Sequence, residues 1–175
     1  RVMFHDFKDP LELEQFIDLT ERMPRKDEMV EVSRLCIDPD YQDGDLIFGM
    51  IGHLFLVMSQ AKRRWVVSFS DEKLFNSLYK KFGAEEVKIH FEHKDLNNAK
   101  QIPFILDINT VLSGASVGPI LWNILVRDIY SFMHSNGYYE YDALSGIRIS
   151  FYKLLSPFVR LIERKYRNKM VRPNK

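Results

Sequence analysis

Apolar and polar positions follow two different periods along this chain. Alternating or continuous apolar positions predict five strands, over residues 1–7, 29–37, 64–70, 84–91 and 102–108. Apolar positions at helical spacing predict five helices, over residues 10–20, 46–62, 72–82, 119–134 and 147–169. After residue 28 the order is strand, helix, strand, helix and two strands, followed by helices. This order predicts an α/β (α+β) fold with a mixed sheet flanked by helices.

Turn and cap residues support these boundaries. Asp9-Pro10 and Asp71 suit helix N-termini, because a carboxylate accepts hydrogen bonds from unpaired backbone amides. Gly83 suits the left-handed position after a helix, and Pro119 suits the first turn of the next helix. Pro157 predicts a kink in the last helix.

Composition narrows the class of protein. The chain has 175 residues, of which 46% are apolar and 28% charged, with a net charge of +1. These values suit a globular chain with one core and do not indicate a nucleic-acid partner. Cys36 is the only cysteine, which excludes an intrachain disulfide and fits a cytoplasmic location. No apolar run approaches the roughly 18 residues of a membrane span. Because the strand pattern begins at Arg1, we expect further N-terminal elements upstream.

Charge is concentrated at the C-terminus. From Arg148 to Lys175 there are nine basic residues and one acidic residue, Glu163, which gives this region a net charge of +8. Residues 147–169 combine these charges with an apolar stripe of Leu154, Leu155, Phe158, Leu161 and Ile162. Such a helix either packs on the rest of the chain with its basic residues outward, or contacts an anionic surface such as a lipid bilayer or an acidic protein.

The first candidate for chemistry is the strand at 29–37 and the loop after it. Glu31 lies on a predicted central strand, where a carboxylate can act as a general base toward an amine; the alternative is a structural ion pair with Arg34. A glycine-bearing loop, 41–49, precedes a helix, and backbone amides there can bind a phosphate. An ordinary turn explains the same loop, and Asp43 and Asp45 oppose an anion.

Two further residues allow alternative interpretations. Tyr79 lies beside the apolar stripe of helix 72–82, where its phenol can protonate a leaving thiolate or simply be half-buried. Cys36 has no histidine nearby in the sequence, so we interpret it as a buried side chain rather than a nucleophile.

His90, Glu92 and His93 form an incomplete ligand set, because His93 points away from the other two on a strand. No metal site is therefore predicted.

Together these segments resemble the GNAT superfamily, and within it the branch of acyl-homoserine-lactone synthases and long-chain N-acyl amino acid synthases. Three segments carry the resemblance: Glu31-x-Ser33-Arg34 with Cys36-Ile37-Asp38-Pro39, Gln42-Asp43-Gly44, and Leu78-Tyr79-Lys80-Lys81-Phe82-Gly83-Ala84-Glu85. The loop departs from the superfamily pattern, since its spacing is contracted and Leu46 and Phe48 replace a small residue. This departure disfavours tight coenzyme A binding and fits an acyl carrier protein as donor.

The resemblance implies a GNAT-like core with a mixed, mostly antiparallel sheet over residues 1–112 and a C-terminal helical extension over 113–175. It implies catalytic roles for Glu31 as base, for Ser33 and Arg34 in ordering the site, and for Tyr79 as acid. The donor would contact Leu35, Cys36, Ile37, Gln42, Asp43, Gly44, Asp45 and Leu46. Backbone amides near Leu35, Cys36 and Ile37 would polarise the thioester carbonyl in a gap between the strands at 29–37 and 65–70.

The function implied is transfer of a long acyl group from an acyl carrier protein (a phosphopantetheine thioester) or acyl-coenzyme A to a small amine such as an amino acid. The alternatives are an acetyl-coenzyme A-dependent N-acetyltransferase and a non-catalytic module that binds an acyl carrier or lipid. We expect a cytoplasmic protein without a nucleic-acid partner. Simple packing of the basic C-terminal helix is the first interpretation, and peripheral contact at the inner face of the membrane gains support if the chain handles long acyl groups.

Overall fold

The computed structural model describes residues 2–4, 11–18, 26–33, 46–93 and 99–162. The chain forms two compact units, Arg1–Asn109 and Thr110–Lys175. The first unit contains the sheet, and the regular elements of the second unit in its described part are helices joined by turns.

The six strands of the first unit form one sheet in the described residues. They are β1 (Val2–Phe4), β2 (Met29–Val32), β3 (Trp65–Ser70), β4 (Glu85–Glu86), β5 (Phe91–His93) and β6 (Ala99–Asp107). The order is β1-β2-β3-β6-β4, and β5 also pairs with β6. Only the β2–β3 pairing is parallel among these strands, and the others are antiparallel. This arrangement confirms the predicted mixed, mostly antiparallel sheet flanked by helices.

The register divides the central strands into two faces. Met29 pairs with Trp65 and Glu31 with Val67, so these four residues lie on one face. A buried cluster on this face includes Leu11, Leu13, Ile17, Met29, Val67 and Val87. Val30, Val32, Val66, Phe104 and Leu106 lie on the other face.

Helices of the first unit follow their predicted start and stop signals. α1 spans Leu46–Gln60, and α2 spans Glu72–Ser77 and is followed by a 3₁₀ turn at Tyr79–Phe82. The Asp71 carboxylate accepts a hydrogen bond from the Leu74 amide at 2.9 Å, which confirms the predicted cap. Gly83 ends the turn with φ of 84°, a left-handed conformation that favours glycine.

Residues 11–18 differ from the predicted helix. They form only a short 3₁₀ turn at Leu13–Gln15. Leu11 and Leu13, two residues apart, are both buried in the same cluster as Val67. In an α-helix, residues two apart point in directions about 200° apart, so burying both against one sheet favours the turn.

The predicted strand at 84–91 is also interrupted. Val87 is buried against the sheet, but its neighbours Lys88 and Ile89 are exposed and leave the ladder. The Ile89 amide donates to the Val87 carbonyl in a tight local turn. β4 and β5 are therefore two short strands, both paired with β6.

The helices of the second unit are α3 (Ile108–Leu112, which starts in the first unit), α4 (Pro119–Leu121), α5 (Arg127–Ser135) and α6 (Ala143–Leu154). A π-helical turn at Trp122–Val126 joins α4 to α5. The Trp122 indole N–H, fully buried, donates to the Leu112 carbonyl at 3.0 Å. Asp142 caps α6 by accepting from the Ser145 amide at 2.7 Å.

A second helical stretch, 156–162, follows α6 directly. Pro157 has no backbone amide, so it cannot continue the hydrogen bonding of α6. In the last turn of α6, the carbonyl of Tyr152 accepts a hydrogen bond from the Asn123 side chain at 2.7 Å. Among the residues that the structure describes, no helix has the length and apolarity needed to cross a membrane.

Candidate functional site

An apolar cavity lies in the first unit, on the sheet face that carries Val32 and Val66. Its volume is about 120 Å³, and it is walled by α1, by the 3₁₀ turn after α2 and by strands β2, β3 and β6. Most lining side chains are aliphatic or aromatic, among them Ile51, Leu54, Phe55, Leu78, Phe82 and Phe104. Such a lining favours apolar groups, because their burial against it removes apolar surface from water. The cavity therefore suits the hydrocarbon part of a ligand.

Tyr79 supplies one of the few polar groups in the cavity wall. Its ring stacks on Phe104, with 4.5 Å between ring centroids. Burial, and then the negative charge of Asp71, raises the pKa of the Tyr79 phenol above its ordinary value of 10.0. The phenol therefore keeps its proton at neutral pH and can donate it to a group that gains negative charge.

Ser68 follows the last registered backbone pair of β2 and β3 in the described residues. The last registered pair between these strands is Glu31 with Val67, whereas β3 continues to pair with β6 as far as Ser70. At the next position the Ser68 hydroxyl donates to the Val32 carbonyl. Both residues line the cavity, so the cavity borders the end of this parallel pairing. A gap between the strands beyond Val32 remains a prediction, because residues 34–45 lie outside the described part of the chain.

Glu31 lies on the other face of the sheet. Its side chain is fully buried, and its Oε2 accepts a hydrogen bond from the Leu13 amide at 3.3 Å. Because side chains alternate along a strand, Val32 rather than Glu31 lines the cavity. The structure therefore does not bring Glu31 and Tyr79 into one cavity, although the strand position next to Glu31 borders it.

A second buried carboxylate and an imidazole lie on the same sheet face as Glu31. Glu12 Oε1 is 3.5 Å from His93 Nε2, and both side chains are buried. The His93 ring stacks on Phe69, with 5.5 Å between centroids. No sequence pattern predicts this pair, because 81 positions separate the partners and only the folding of residues 11–18 onto the sheet joins them. Glu12 was not among the predicted site residues.

Two of the remaining predicted site residues, Ser33 and Leu46, lie in the described part of the chain. Ser33 is buried at the end of β2, and Leu46 begins α1. Arg34, Leu35, Cys36, Ile37, Gln42, Asp43, Gly44 and Asp45 lie outside the described residues, so their roles remain predictions. In the described part of the chain, no three histidine, cysteine or acidic side chains are grouped to hold a metal ion. His90 instead pairs with Glu86, and Glu92 is exposed.

Comparison with known proteins gave one structural match. No protein family model and no curated protein matches the chain. A solved structure, that of MesI, a CoA-dependent acyl-homoserine lactone synthase, matches with a TM-score of 0.40 and 17% sequence identity. The match covers 49% of this chain and 43% of that chain, so less than half of MesI is represented.

Proposed function

We propose that this chain is an N-acyltransferase that moves an acyl group from a thioester to the amine of a small molecule. The observation that carries the proposal is the apolar cavity beside the end of the β2–β3 pairing, with the protonated phenol of Tyr79 in its wall. An acyl chain in this cavity would place its thioester near the Val32 carbonyl and the Ser68 hydroxyl. The resemblance of the strand and loop at 31–46 to the acyl-homoserine-lactone synthase branch supports the same reaction.

The reaction needs a base for the amine and an acid for the sulfur. The acceptor reacts as the neutral amine: its nitrogen attacks the thioester carbon while Glu31 takes one N–H proton, directly or through water, and exchange with solvent later returns a proton from Glu31 to Tyr79. The tetrahedral intermediate then expels the thiolate as the C–S bond breaks, and Tyr79 supplies the proton to sulfur. The Glu31 and Tyr79 side chains lie on opposite faces, so the thioester would have to pass between β2 and β3 beyond the Glu31–Val67 pair.

Donor and acceptor are proposed by class only. A cavity of about 120 Å³ offers more room than the single methyl of an acetyl group needs, which favours a longer acyl chain over acetyl-coenzyme A. We propose an acyl carrier protein as the main donor, because the loop at 42–46 departs from the coenzyme A-binding pattern, with acyl-coenzyme A as the second. The acceptor would be a small amine such as an amino acid.

The test is product formation with the complete 175-residue chain. The protein is incubated with acyl-carrier-protein and acyl-coenzyme A thioesters of increasing chain length and a mixture of amino acids, and N-acyl products are detected by mass spectrometry. Glu31→Gln should lower turnover by about 10²-fold or more if Glu31 is the base. Glu92→Gln, an equally conservative change at an exposed position of β5, should leave turnover unchanged.

Three results would contradict parts of the proposal. Unchanged turnover in Glu31→Gln would remove Glu31 from the chemistry. Turnover with acetyl-coenzyme A alone would favour the short-chain alternative. Thioester binding without any N-acyl product would favour a non-catalytic module that binds acyl carriers or lipids.

A further inference from the structure

Helix α6 and the helical stretch 156–162 expose a long apolar face. Six large apolar side chains follow one another at spacings of three and four residues, and each is between 54% and 72% exposed: Leu144, Ile147, Phe151, Leu154, Phe158 and Leu161. This spacing places them along one side of the helix. We call these six residues the α6 stripe. Contiguous exposed apolar surface of this kind marks an interaction site more often than a random surface does.

The α6 stripe is not the face through which the helix packs within its own unit. Ser145, Ile149 and Val159 are buried on the other side. From the same side, the Tyr152 hydroxyl donates to the carbonyls of Gly114 and Val117, both at 3.2 Å. The helix therefore has apolar residues on two faces, one that packs inside the unit and one that stays in contact with solvent. Simple packing of the C-terminal helix accounts for the buried face alone.

The net positive charge of residues 143–175 indicates which kind of surface the α6 stripe would bind. Residues 143–162 contain Arg148, Lys153 and Arg160 and no acidic residue, and the sequence of 163–175 adds six basic residues against Glu163. Two copies of such a helix would repel each other, which disfavours a dimer through the α6 stripe. A helical region that exposes an apolar face, and whose charged residues over 143–162 are all basic, is instead complementary to a bilayer that contains anionic lipids.

We propose that the second unit binds anionic membrane surfaces, with α6 and 156–162 lying in the plane of the interface and the α6 stripe inserted among the acyl chains. The net positive charge of this region would attract it to the lipid phosphates. Within the described residues neither helical stretch is long and apolar enough to cross a bilayer, and the contact that we propose is peripheral. This proposal depends only on the second unit and holds whether or not the first unit is an acyltransferase.

The test is flotation of the complete chain with vesicles of phosphatidylcholine alone and with vesicles that also contain phosphatidylglycerol. We expect binding to the anionic vesicles that weakens as salt is raised. The double variant Leu154→Ser/Phe158→Ser should bind roughly tenfold less or weaker still, since two buried apolar side chains are lost. Phe132→Ser/Ile120→Ser is the matched control, because both residues belong to the same unit and are half exposed outside the α6 stripe. Its binding should equal that of the unaltered chain.

Four outcomes would overturn the proposal. Equal binding to neutral vesicles would remove the role of charge, and equal binding by the α6-stripe variant would remove the role of the stripe. A dimer in analytical ultracentrifugation that becomes a monomer in the α6-stripe variant would make the stripe a contact between copies. Binding of a purified acyl carrier protein, lost in the same variant while vesicles remain unbound, would make it a protein-docking surface. Circular dichroism of each variant checks that helix content is retained.

Discussion

The side chains of Glu31 and Tyr79 lie on opposite faces of one sheet. Glu31 is buried beside Leu13 and Val67, whereas Tyr79 stacks on Phe104 in the wall of the cavity. A reaction that uses both must therefore act through the sheet rather than across a common pocket. In the described residues the last registered pair of β2 and β3 is Glu31 with Val67, and a passage between the two faces beyond this pair remains a prediction.

The first prediction separates the structural role of Glu31 from its chemical role. Glu31→Ala should lower the free energy of unfolding by roughly 1–3 kcal/mol, because the Leu13 amide loses its acceptor inside the core. Glu31→Gln keeps an acceptor oxygen and should cost less. Urea denaturation followed by circular dichroism measures both. If Glu31→Ala is as stable as the unaltered chain, the contact with Leu13 does not hold residues 11–18 on the sheet.

The second prediction concerns the acyl chain. Leu54→Trp should fill part of the cavity and shift the preference toward shorter acyl groups, lowering the ratio of kcat/KM for long against short chains by about tenfold or more. His53→Trp is the control, since His53 is exposed on the same helix and does not line the cavity. Competition between thioesters of different length, read by mass spectrometry, gives the ratio. An equal shift in both variants would show that the cavity does not hold the acyl chain.

A third prediction follows from the raised pKa of Tyr79. Because the phenol ionises less readily in the folded chain, its contribution to stability is complete below its ordinary pKa of 10.0 and is lost as pH rises through the raised value. Tyr79→Phe should therefore show a smaller loss of stability above about pH 10 than the unaltered chain. Urea midpoints measured across the alkaline range test this.

The control for that experiment is Tyr130. Burial, followed by the charge of Tyr141, also raises the pKa of Tyr130, so its ionisation destabilises the fold in the same direction. Tyr130→Phe should abolish the part of the alkaline loss of stability that comes from ionisation of Tyr130. The part that comes from ionisation of Tyr79 should remain. Identical alkaline behaviour of Tyr79→Phe and the unaltered chain would mean that the phenol is already solvated in the folded state.

Features set by short-range sequence signals were predicted from the sequence. The continuous apolar segment at 64–70 forms β3, and the apolar segment at 46–62 forms α1, as predicted. Asp71 caps α2 and Pro119 starts α4, because caps and first turns depend on one or two residues and the backbone next to them. For the sheet, only its class was predicted, as mixed and mostly antiparallel. The order and direction of the individual strands were not predicted, because they depend on contacts between distant segments.

Features set by long-range contacts were missed. The turn at 13–15 replaces a helix because its leucines pack on a sheet formed by later residues. The pairing of Glu12 with His93 depends on the same packing. The face on which Glu31 lies was likewise undetermined, because alternation along a strand gives two faces without saying which of them carries a cavity. The start of α6 at Ala143, four residues before the prediction, was missed for a different reason: the Asp142 cap is a short-range signal that the apolar spacing alone does not include.

The last prediction tests how closely α6 packs in the second unit. Gly114 and Gly137 both have φ of +71°, but a Cβ on Gly114 would lie 2.6 Å from the Tyr152 ring, whereas a Cβ on Gly137 would meet no atom within 4 Å. Gly137→Ala should cost about 1–2 kcal/mol from backbone strain alone. Gly114→Ala should cost more, because the ring must move and its hydroxyl hydrogen bonds to Gly114 and Val117 weaken. Urea denaturation of the two variants gives the difference. Equal costs would mean that the Tyr152 ring moves aside freely and that the buried face of α6 is loosely held.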